Sequence, residues 1–344
     1  MTNYILRDEN AIYYECGYSS DNAIFLSLGS EKWFITDSRY TTEAKEAVKS
    51  GIEVVEASDL LKAARTLVRG QRKRRMVVIF DPKDWTVEGF KKLGQKLPEV
   101  HFRPVADFSH QKRIVKSEEE ISLLQKAAIL GREGFEIFAR YLDIAGLQKS
   151  EKRLHFEAKA ALGRHGEYPL SFDPIVAIGA NAAKPHALPT ERRLKEGDLL
   201  LMDAGLKYKR YCSDRTRTVC MKKGVAFTDD QRFTSPKIQK AYDLVKKAHD
   251  TAIEKARSGM TGAQIDRLAR DVIEKGGMGE YFIHSTGHGV GLDIHEMPYI
   301  SSRGSTVIED GMVFTIEPGV YLPKEFGIRI EDMVVMKDGK AQLL

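Results

Sequence analysis

Four acidic residues and one histidine in the C-terminal half of this 344-residue chain have the types and surroundings of metal ligands. They lie in the segments LLLMDAG, SDRTRT, STGHGVG, TIEPGVY and RIEDMVV, and they are Asp203, Asp214, His288, Glu317 and Glu331. Clustered carboxylates without counter-ions repel one another and take up protons, whereas two divalent cations would neutralise four of them. The set therefore predicts a pocket for two metal ions.

The spacing of these residues indicates how they meet. Asp203 and Asp214 flank the turn-like LKYKR between two apolar runs, so a hairpin would place both carboxylates on neighbouring strands. Glu317 and Glu331 repeat this arrangement around LPKEFG. His288 adds one nitrogen ligand, and the glycines on both sides of it let the chain pass close to a ligand. Two facing hairpins would build the site on rigid elements.

The chemistry expected of such a pocket is hydrolysis. Ligation by oxygen with a single histidine favours Mn²⁺, ahead of Co²⁺, Fe²⁺ or Zn²⁺. Two such ions lower the pKa of a water for attack on a carbonyl carbon and stabilise the developing oxyanion. Two further histidines, His186 in KPHALPT and His295 in GLDIHEMP, stand in the same half of the chain, and their presence near such a pocket favours a hydrolase. Cys212 is an alternative soft ligand, although a small buried strand residue is the favoured interpretation.

The elements that position these residues divide the chain into two domains, predicted as 1–115 and 116–344. The first part alternates short apolar strands with helical segments, which indicates an α/β domain with a mixed sheet. The pattern Ser117-x-x-Glu120 is a capping box that begins a long helix, and Ile121, Leu124, Ala128, Phe135 and Phe138 fit its core-facing spacing. Three more helices are predicted over 149–163, 236–257 and 263–275, with strands between them. This order indicates an α+β C-terminal domain.

Composition excludes several classes of protein. No run of 18 apolar residues exists, and the start MTNYILRDENAIYY lacks the features of a signal peptide, so a cytoplasmic protein with no membrane partner is expected. Three cysteines, in a reducing cytoplasm, argue against a disulfide framework. The basic run RGQRKRR, residues 69–75, would suit nucleic acid, but a solvated turn is favoured because no recognition motif surrounds it.

The motifs carry a resemblance to a known family. The segments PHALP, MDAG, SDRTRT, GHGVGLDIHEMP, TIEPGVY and RIED resemble, in type and order, the site motifs of the pita-bread metallopeptidases, which include prolidase, aminopeptidase P and methionine aminopeptidase. This resemblance covers about residues 116–344. The part before it is similar to the creatinase-type N-terminal domain of prolidase and aminopeptidase P, most clearly at TDSRY, Thr36–Tyr40. It implies a pita-bread catalytic domain preceded by an α/β domain.

The resemblance also implies a role for each site residue. Asp203 is similar to the ligand of one ion, Asp214 and Glu331 to the carboxylates that bridge both ions, and His288 with Glu317 to the ligands of the second ion. Glu317 also resembles the family's proton shuttle. His186 and His295 resemble the pair that contacts the scissile peptide, and Arg329 resembles a residue that orients a ligating carboxylate.

The function that the resemblance implies is hydrolysis of Xaa-Pro bonds in short proline-containing peptides, by a homodimer. Methionine aminopeptidases usually lack the N-terminal domain, and the short chain is more similar to prolidases, so a dipeptidase is favoured. Aminopeptidase P activity and other exopeptidase preferences stay open. The alternative from another class is a binding module that kept the fold without catalysis, and the retained set of five ligands counts against it.

Overall fold

The computed structural model describes residues 2–71, 76–95 and 97–344, and the chain forms two compact units, Met1–Arg113 and Ile114–Leu344. Four residues of the basic run, 72–75, lie outside the described residues, as does Lys96. No helix in the described parts of the chain is both long and apolar enough to cross a membrane.

The first unit is a mixed six-stranded sheet with helices. Its strands are β1 (Tyr4–Leu6), β2 (Ala23–Leu28), β3 (Glu31–Thr36), β4 (Glu53–Glu56), β5 (Met76–Phe80) and β6 (Val100–Pro104), in the spatial order β4-β3-β2-β1-β5-β6. Its helices are α1 (Glu9–Cys16), α2 (Thr41–Ala47), α3 (Leu60–Gly70), α4 (Val87–Gly94) and α5 (Phe108–Lys112). β2 and β3 pair antiparallel, and α3 ends at Gly70. Parallel and antiparallel pairs coexist, which matches the predicted mixed α/β class.

The second unit contains four long helices: α6 (Glu118–Tyr141), α7 (Glu151–Leu162), α8 (Pro236–Lys255) and α9 (Gly262–Lys275). The predicted capping box of α6 is present, since Ser117 and Glu120 exchange both hydrogen bonds. Leu124, Phe135 and Phe138 are buried as expected. Ile121 and Ala128 are only half-buried; Ala127 and Leu130 take the core positions instead, so the buried stripe of α6 is rotated from the predicted one.

The sheets of the second unit carry the predicted site residues. A three-stranded sheet has the order β11-β8-β7, from β7 (Ile175–Ile178), β8 (Leu199–Ala204) and β11 (Arg215–Cys220). The small hairpin of β9 (Lys207–Tyr208) and β10 (Tyr211–Cys212) connects β8 to β11. A five-stranded sheet has the order β13-β12-β14-β17-β18, from β12 (Gly287–Gly289), β13 (Glu296–Ile300), β14 (Val313–Ile316), β17 (Asp332–Lys337) and β18 (Lys340–Leu343). A second hairpin, β15 (Gly319–Leu322) with β16 (Phe326–Arg329), is inserted between β14 and β17.

Two expectations about strand placement need correction. Asp203 lies in β8, but Asp214 is one residue before β11, because the LKYKR turn forms its own small hairpin. Glu317 and Glu331 lie outside β15 and β16, at the points where the chain passes between that hairpin and the strands β14 and β17. The carboxylates thus occur where strands end, and backbone hydrogen bonds of the two sheets fix those ends.

Candidate active site

One cleft in the second unit gathers the five predicted ligands and three further residues that the family resemblance singled out. Its volume is about 520 Å³. The predicted residues in its lining are His186, Asp203, Asp214, His288, His295, Glu317, Arg329 and Glu331. Ligand atoms of Asp214, His288 and Glu331 all lie within 4.8 Å of one another. The cleft therefore concentrates oxygen and nitrogen donors of the kind that divalent cations bind.

The backbone around His288 brings its ring to the carboxylates. His288 lies in β12, and a Cβ added at its neighbour Gly287 would overlap the carbonyl oxygen of Thr315 in β14, so only glycine permits this close approach. Nδ1 of His288 lies 3.1 Å from the carbonyl oxygen of Gly289. A carbonyl oxygen only accepts, so Nδ1 carries the proton and Nε2 keeps its lone pair. That Nε2 lies 3.6 Å from Asp214 Oδ2 and 3.5 Å from Glu317 Oε1.

Electrostatics in the cleft favour bound cations. Burial, reinforced by the neighbouring carboxylates, holds the pKa values of Asp214 and Glu331 well above their usual range. Burial also raises the pKa of Glu317 to about 8, against the opposing effect of Arg329. Burial lowers the pKa of His288 to about 3, so the imidazole is neutral and able to ligate. Among the residues that line the cleft, only Arg329 is permanently cationic, against the four candidate carboxylate ligands.

An unused oxygen gives a second sign of fit. Oδ1 of Asp203 is buried and has no hydrogen-bond partner among the described residues, whereas Oδ2 accepts from Nη2 of Arg329 at 2.5 Å. A buried carboxylate oxygen without a donor is costly unless a cation or water satisfies it. The donor set, the neutral imidazole and this oxygen together fit the two divalent ions expected from the sequence.

A chain of hydrogen bonds that the sequence did not predict connects the buried carboxylates to His284. Arg329 donates from Nη1 to the hydroxyl of Tyr321 at 2.6 Å and from Nε to the hydroxyl of Thr216 at 3.1 Å. The Thr216 hydroxyl donates to Oε2 of Glu331 at 2.6 Å. The Tyr321 hydroxyl lies 2.8 Å from Nε2 of His284, whose Nδ1 donates to the carbonyl oxygen of Ser285. Arg329 therefore contacts the Asp203 carboxylate, as expected. It also links this carboxylate, through Thr216, to Glu331 and, through Tyr321, to His284.

His284 was detectable, because it lies four residues before His288 in IHSTGHG. Its ring lines the cleft, and burial together with Arg329 lowers its pKa to about 3. Thr216 and Tyr321 gave no such signal, because a threonine in SDRTRT and a tyrosine in GVYL are ordinary strand residues. Their importance follows only from hydrogen-bond partners that lie outside their own strands.

The mouth of the cleft combines imidazoles with apolar side chains. The rings of His288 and His295 are 4.3 Å apart at 77°, and His295 and His186 are exposed. Leu188 is 80% exposed although it is apolar. Other apolar lining residues are Phe172, Pro174, Ile175, Pro185, Ala187 and Pro189. A small, partly apolar ligand with a polar reacting group would match these walls.

Cys212 takes no part in this site. It is buried in β10, its Sγ faces the carbonyl oxygen of Leu292 at 3.6 Å, and it is not among the residues that line the cleft. The favoured interpretation of Cys212, a small buried strand residue, is confirmed.

Comparison with known proteins gives a consistent family assignment. The model of metallopeptidase family M24 matches residues 122–338, and the model of the creatinase/prolidase N-terminal domain matches residues 2–115. An uncharacterized peptidase of Bacillus subtilis is 33% identical over 335 residues, covering 97% of this chain and 90% of the relative. The Xaa-Pro dipeptidase of Pyrococcus furiosus is 37% identical over 258 residues, covering 75% of this chain and 70% of the relative.

Solved structures agree with this assignment. An Xaa-Pro dipeptidase from Bacillus anthracis has a TM-score of 0.90 at 30% identity, covering 99% of this chain and 92% of the other. An X-Pro aminopeptidase from Thermotoga maritima has a TM-score of 0.86 at 29% identity, covering 99% of this chain and 95% of the other. The pita-bread fold with its preceding creatinase-type domain is therefore shown for the whole length of the chain.

Proposed function

Since the chain belongs to metallopeptidase family M24, we propose that it is a dinuclear metal-dependent exopeptidase that hydrolyses Xaa-Pro peptide bonds. The observation that carries this proposal is the single cleft in which five predicted ligands meet three predicted substrate-facing or supporting residues. Relatives that are named Xaa-Pro dipeptidase or X-Pro aminopeptidase support the preference for proline.

The proposal assigns the ligands as follows. Asp203 would bind one ion, Asp214 and Glu331 would bind both, and His288 with Glu317 would bind the second. The ions would supply an activated water and charge stabilisation for the carbonyl oxygen. Mn²⁺ is the favoured metal because the donor set is rich in oxygen.

Other side chains of the cleft would orient the ligands, bind the substrate and transfer a proton. The hydrogen bond from Nδ1–H of His288 to the carbonyl oxygen of Gly289 fixes the orientation of the ring and leaves Nε2 free to ligate. Arg329 holds Asp203 by Oδ2, which leaves Oδ1 for the metal. His186 and His295, exposed at the mouth, would donate hydrogen bonds to the substrate carbonyl and its tetrahedral intermediate. Glu317 would accept a proton from the attacking water and pass it to the leaving amine.

The favoured subtype is a prolidase-like Xaa-Pro dipeptidase, and aminopeptidase P activity is the close alternative. The two are separated by the length of the substrate. We propose assays of Ala-Pro, Gly-Pro and a longer Xaa-Pro peptide with added Mn²⁺ or Co²⁺, with Ala-Ala as the matched peptide without proline and Asp214→Ala as the control for contaminating activity. Cleavage of the dipeptides is expected. Cleavage of the longer peptide alone would assign aminopeptidase P, and no cleavage by metal-loaded protein would overturn the preference for proline.

The proposal also includes a cytoplasmic homodimer that acts on short peptides. Light scattering coupled to size exclusion measures the oligomeric state directly. The alternative of a binding module through RGQRKRR predicts nucleic-acid binding that weakens with salt in a protein that holds no metal. Metal content and a salt titration of nucleic-acid binding distinguish these functions.

A further inference from the structure

A buried ion pair lies directly behind the turn that carries His295. Nζ of Lys116 donates to Oε1 of Glu296 at 2.7 Å, and both side chains are 1% exposed. Glu296 is the first residue of β13 and follows His295 immediately. The pair therefore joins the start of the second unit to the strand that begins next to a proposed substrate-facing histidine.

Both partners of this pair are fixed to the sheet. The backbone amide of Lys116 donates to the carbonyl oxygen of Gly311 at 2.9 Å, and Val115 bridges to Met312, just before β14. The other carboxylate oxygen of Glu296 accepts from the backbone amide of Asp293 at 3.4 Å. Lys116 thus connects the five-stranded sheet to the turn of residues 290–295.

The Glu296 carboxylate fills the inside of that turn. A Cβ added at Gly291 would lie 2.5 Å from Oε1 of Glu296, so the backbone of the turn rests directly on the carboxylate. The carbonyl oxygen of Gly291 in turn accepts from the amide of Cys212 at 2.8 Å. Because a register shift interrupts the β12–β13 ladder between His288 and Gly289, the strands alone do not fix this turn.

We propose that Lys116 is a positioning residue, which acts through Glu296 to hold His295 at the mouth of the cleft. A buried carboxylate that loses its cation turns towards water. Because the backbone at Gly291 rests on the Glu296 carboxylate, this movement releases the turn and shifts the His295 ring from its place 4.3 Å from the ring of His288. The role of His295 in this inference rests on the proposed function. The placement of the turn by Lys116 and Glu296 does not depend on that function.

The first test measures the turn without any activity. In Lys116→Met, amide hydrogen exchange should speed up in residues 287–297 and stay unchanged in α8 and α9. Lys152→Met is the matched control, since Lys152 forms an exposed ion pair with Glu191 and should leave both regions unchanged. Faster exchange throughout the second unit, or no change in residues 287–297, would overturn the proposal.

The second test uses kinetics of the metal-loaded protein on a peptide that the wild type cleaves. Lys116→Met should lower kcat by roughly 10–100-fold with KM and metal content little changed, as for other residues that orient a group in a metal site. The same substitution made in His295→Ala protein should cause no further loss, because Lys116 then has nothing left to position. An equal loss in both backgrounds would contradict the proposal. A wild type that cleaves no proline peptide would instead refute the proposed specificity and leave the exchange test valid.

Discussion

The hydroxyl of Thr216 donates to Oε2 of Glu331 at 2.6 Å, and the backbone amide of Glu331 donates back to the carbonyl oxygen of Thr216 at 3.1 Å. Thr216 lies in β11, directly after Asp214 and Arg215, whereas Glu331 lies between β16 and β17. These two hydrogen bonds connect the strand that follows Asp214 to the segment that carries Glu331. The same hydroxyl accepts from Nε of Arg329 at 3.1 Å, so Thr216 hydrogen-bonds both to the proposed ligand Glu331 and to the buried guanidinium of Arg329.

Thr216→Val should therefore weaken metal binding. The substitution keeps the shape of the side chain, but Glu331 loses a donor and Arg329 loses an acceptor. We expect metal affinity to fall by roughly 10–100-fold, and metal-free protein to lose about 1–3 kcal/mol of unfolding free energy. Calorimetric titration with Mn²⁺ and denaturant unfolding of the metal-free protein measure the two effects.

Thr218→Val is the matched control for this experiment. Thr218 is equally buried in β11, but its hydroxyl donates to the backbone carbonyl of Arg329 at 3.0 Å and does not contact a carboxylate. It should reduce stability to a similar extent while metal affinity falls less. Equal losses of metal affinity in both variants would show that general packing of β11, and not the bond to Glu331, governs the site.

A second prediction separates ligands from substrate contacts. Asp214→Ala removes a carboxylate expected to bind both ions, so metal binding and turnover should both be abolished. His295→Ala should keep its metal but lose turnover by roughly 10²–10³-fold, as when a transition-state donor is removed. Elemental analysis together with kcat measures both. If both variants lose metal equally, the assignment of His295 as a substrate contact is wrong.

The residues whose chemistry shows in local sequence were the ones that could be predicted. The capping box at Ser117 lies within four residues, and the five proposed ligands stand in short motifs, so local sequence was enough to predict both. The bonds from Thr216 to Glu331 and from Lys116 to Glu296 span 115 and 180 residues. Lys116 stands before Ser117 and three glutamates, where a lysine is usually solvated, and nothing local indicates its burial.

The rotated core stripe of α6 has a similar origin. Periodicity shows that the helix has an apolar face, but small residues fit both the core and its border. Ala127 and Ala128 are adjacent, and only the packing of neighbouring elements decides that Ala127 is the buried one. The strand ends that carry Asp214 and Glu317 likewise depend on hairpin register, which the turn-like sequences did not specify.

Metal affinity should rise with pH. Burial raises the pKa of Glu317 to about 8 and holds the pKa values of Asp214 and Glu331 above their usual range, so the metal-free site holds protons near neutrality. Metal binding requires the ionised carboxylates and must release those protons. Calorimetric titrations at about pH 6 and about pH 9, in buffers of different ionisation enthalpy, should show tighter binding and less proton release at the higher pH. Binding that releases no protons at the lower pH would contradict this prediction.

The folding stability of the metal-free protein should change with pH in the opposite direction, falling as pH rises. A carboxyl whose folded-state pKa lies above that of the unfolded chain stabilises the fold in its protonated form. For Glu317 this contribution is fully present below pH of about 4 and is lost as pH rises through about 8. Metal-free protein should therefore unfold at lower denaturant concentration as pH rises, while the metal-loaded protein should not show this loss.

A last prediction concerns Asp84 in the first unit, which lies after β5 in a turn where the backbone N–H of Asp84 donates a hydrogen bond to the carbonyl oxygen of Asp81. Partial burial, followed by the nearby charges of Asp81 and Asp8, raises the pKa of Asp84 to about 7. The folded chain therefore binds this proton more tightly than the unfolded chain does. The stabilising contribution of the protonated carboxyl is complete below pH of about 4 and disappears as pH rises through about 7.

Asp84→Asn should remove this dependence, because the amide stays neutral at every pH. We expect the variant to gain about 1–2 kcal/mol over the wild type above neutral pH, a figure reduced for solvent screening of a partly exposed group, and little at acidic pH. Both tryptophans of the chain, Trp33 and Trp85, lie in the first unit, so denaturant unfolding followed by tryptophan fluorescence reports on that unit alone. Asp230→Asn, at an exposed position in the second unit, is the control and should leave the transition unmoved. A gain that is the same at acidic and alkaline pH would show that ionisation of the partly buried Asp84 carboxyl is not what destabilises this turn.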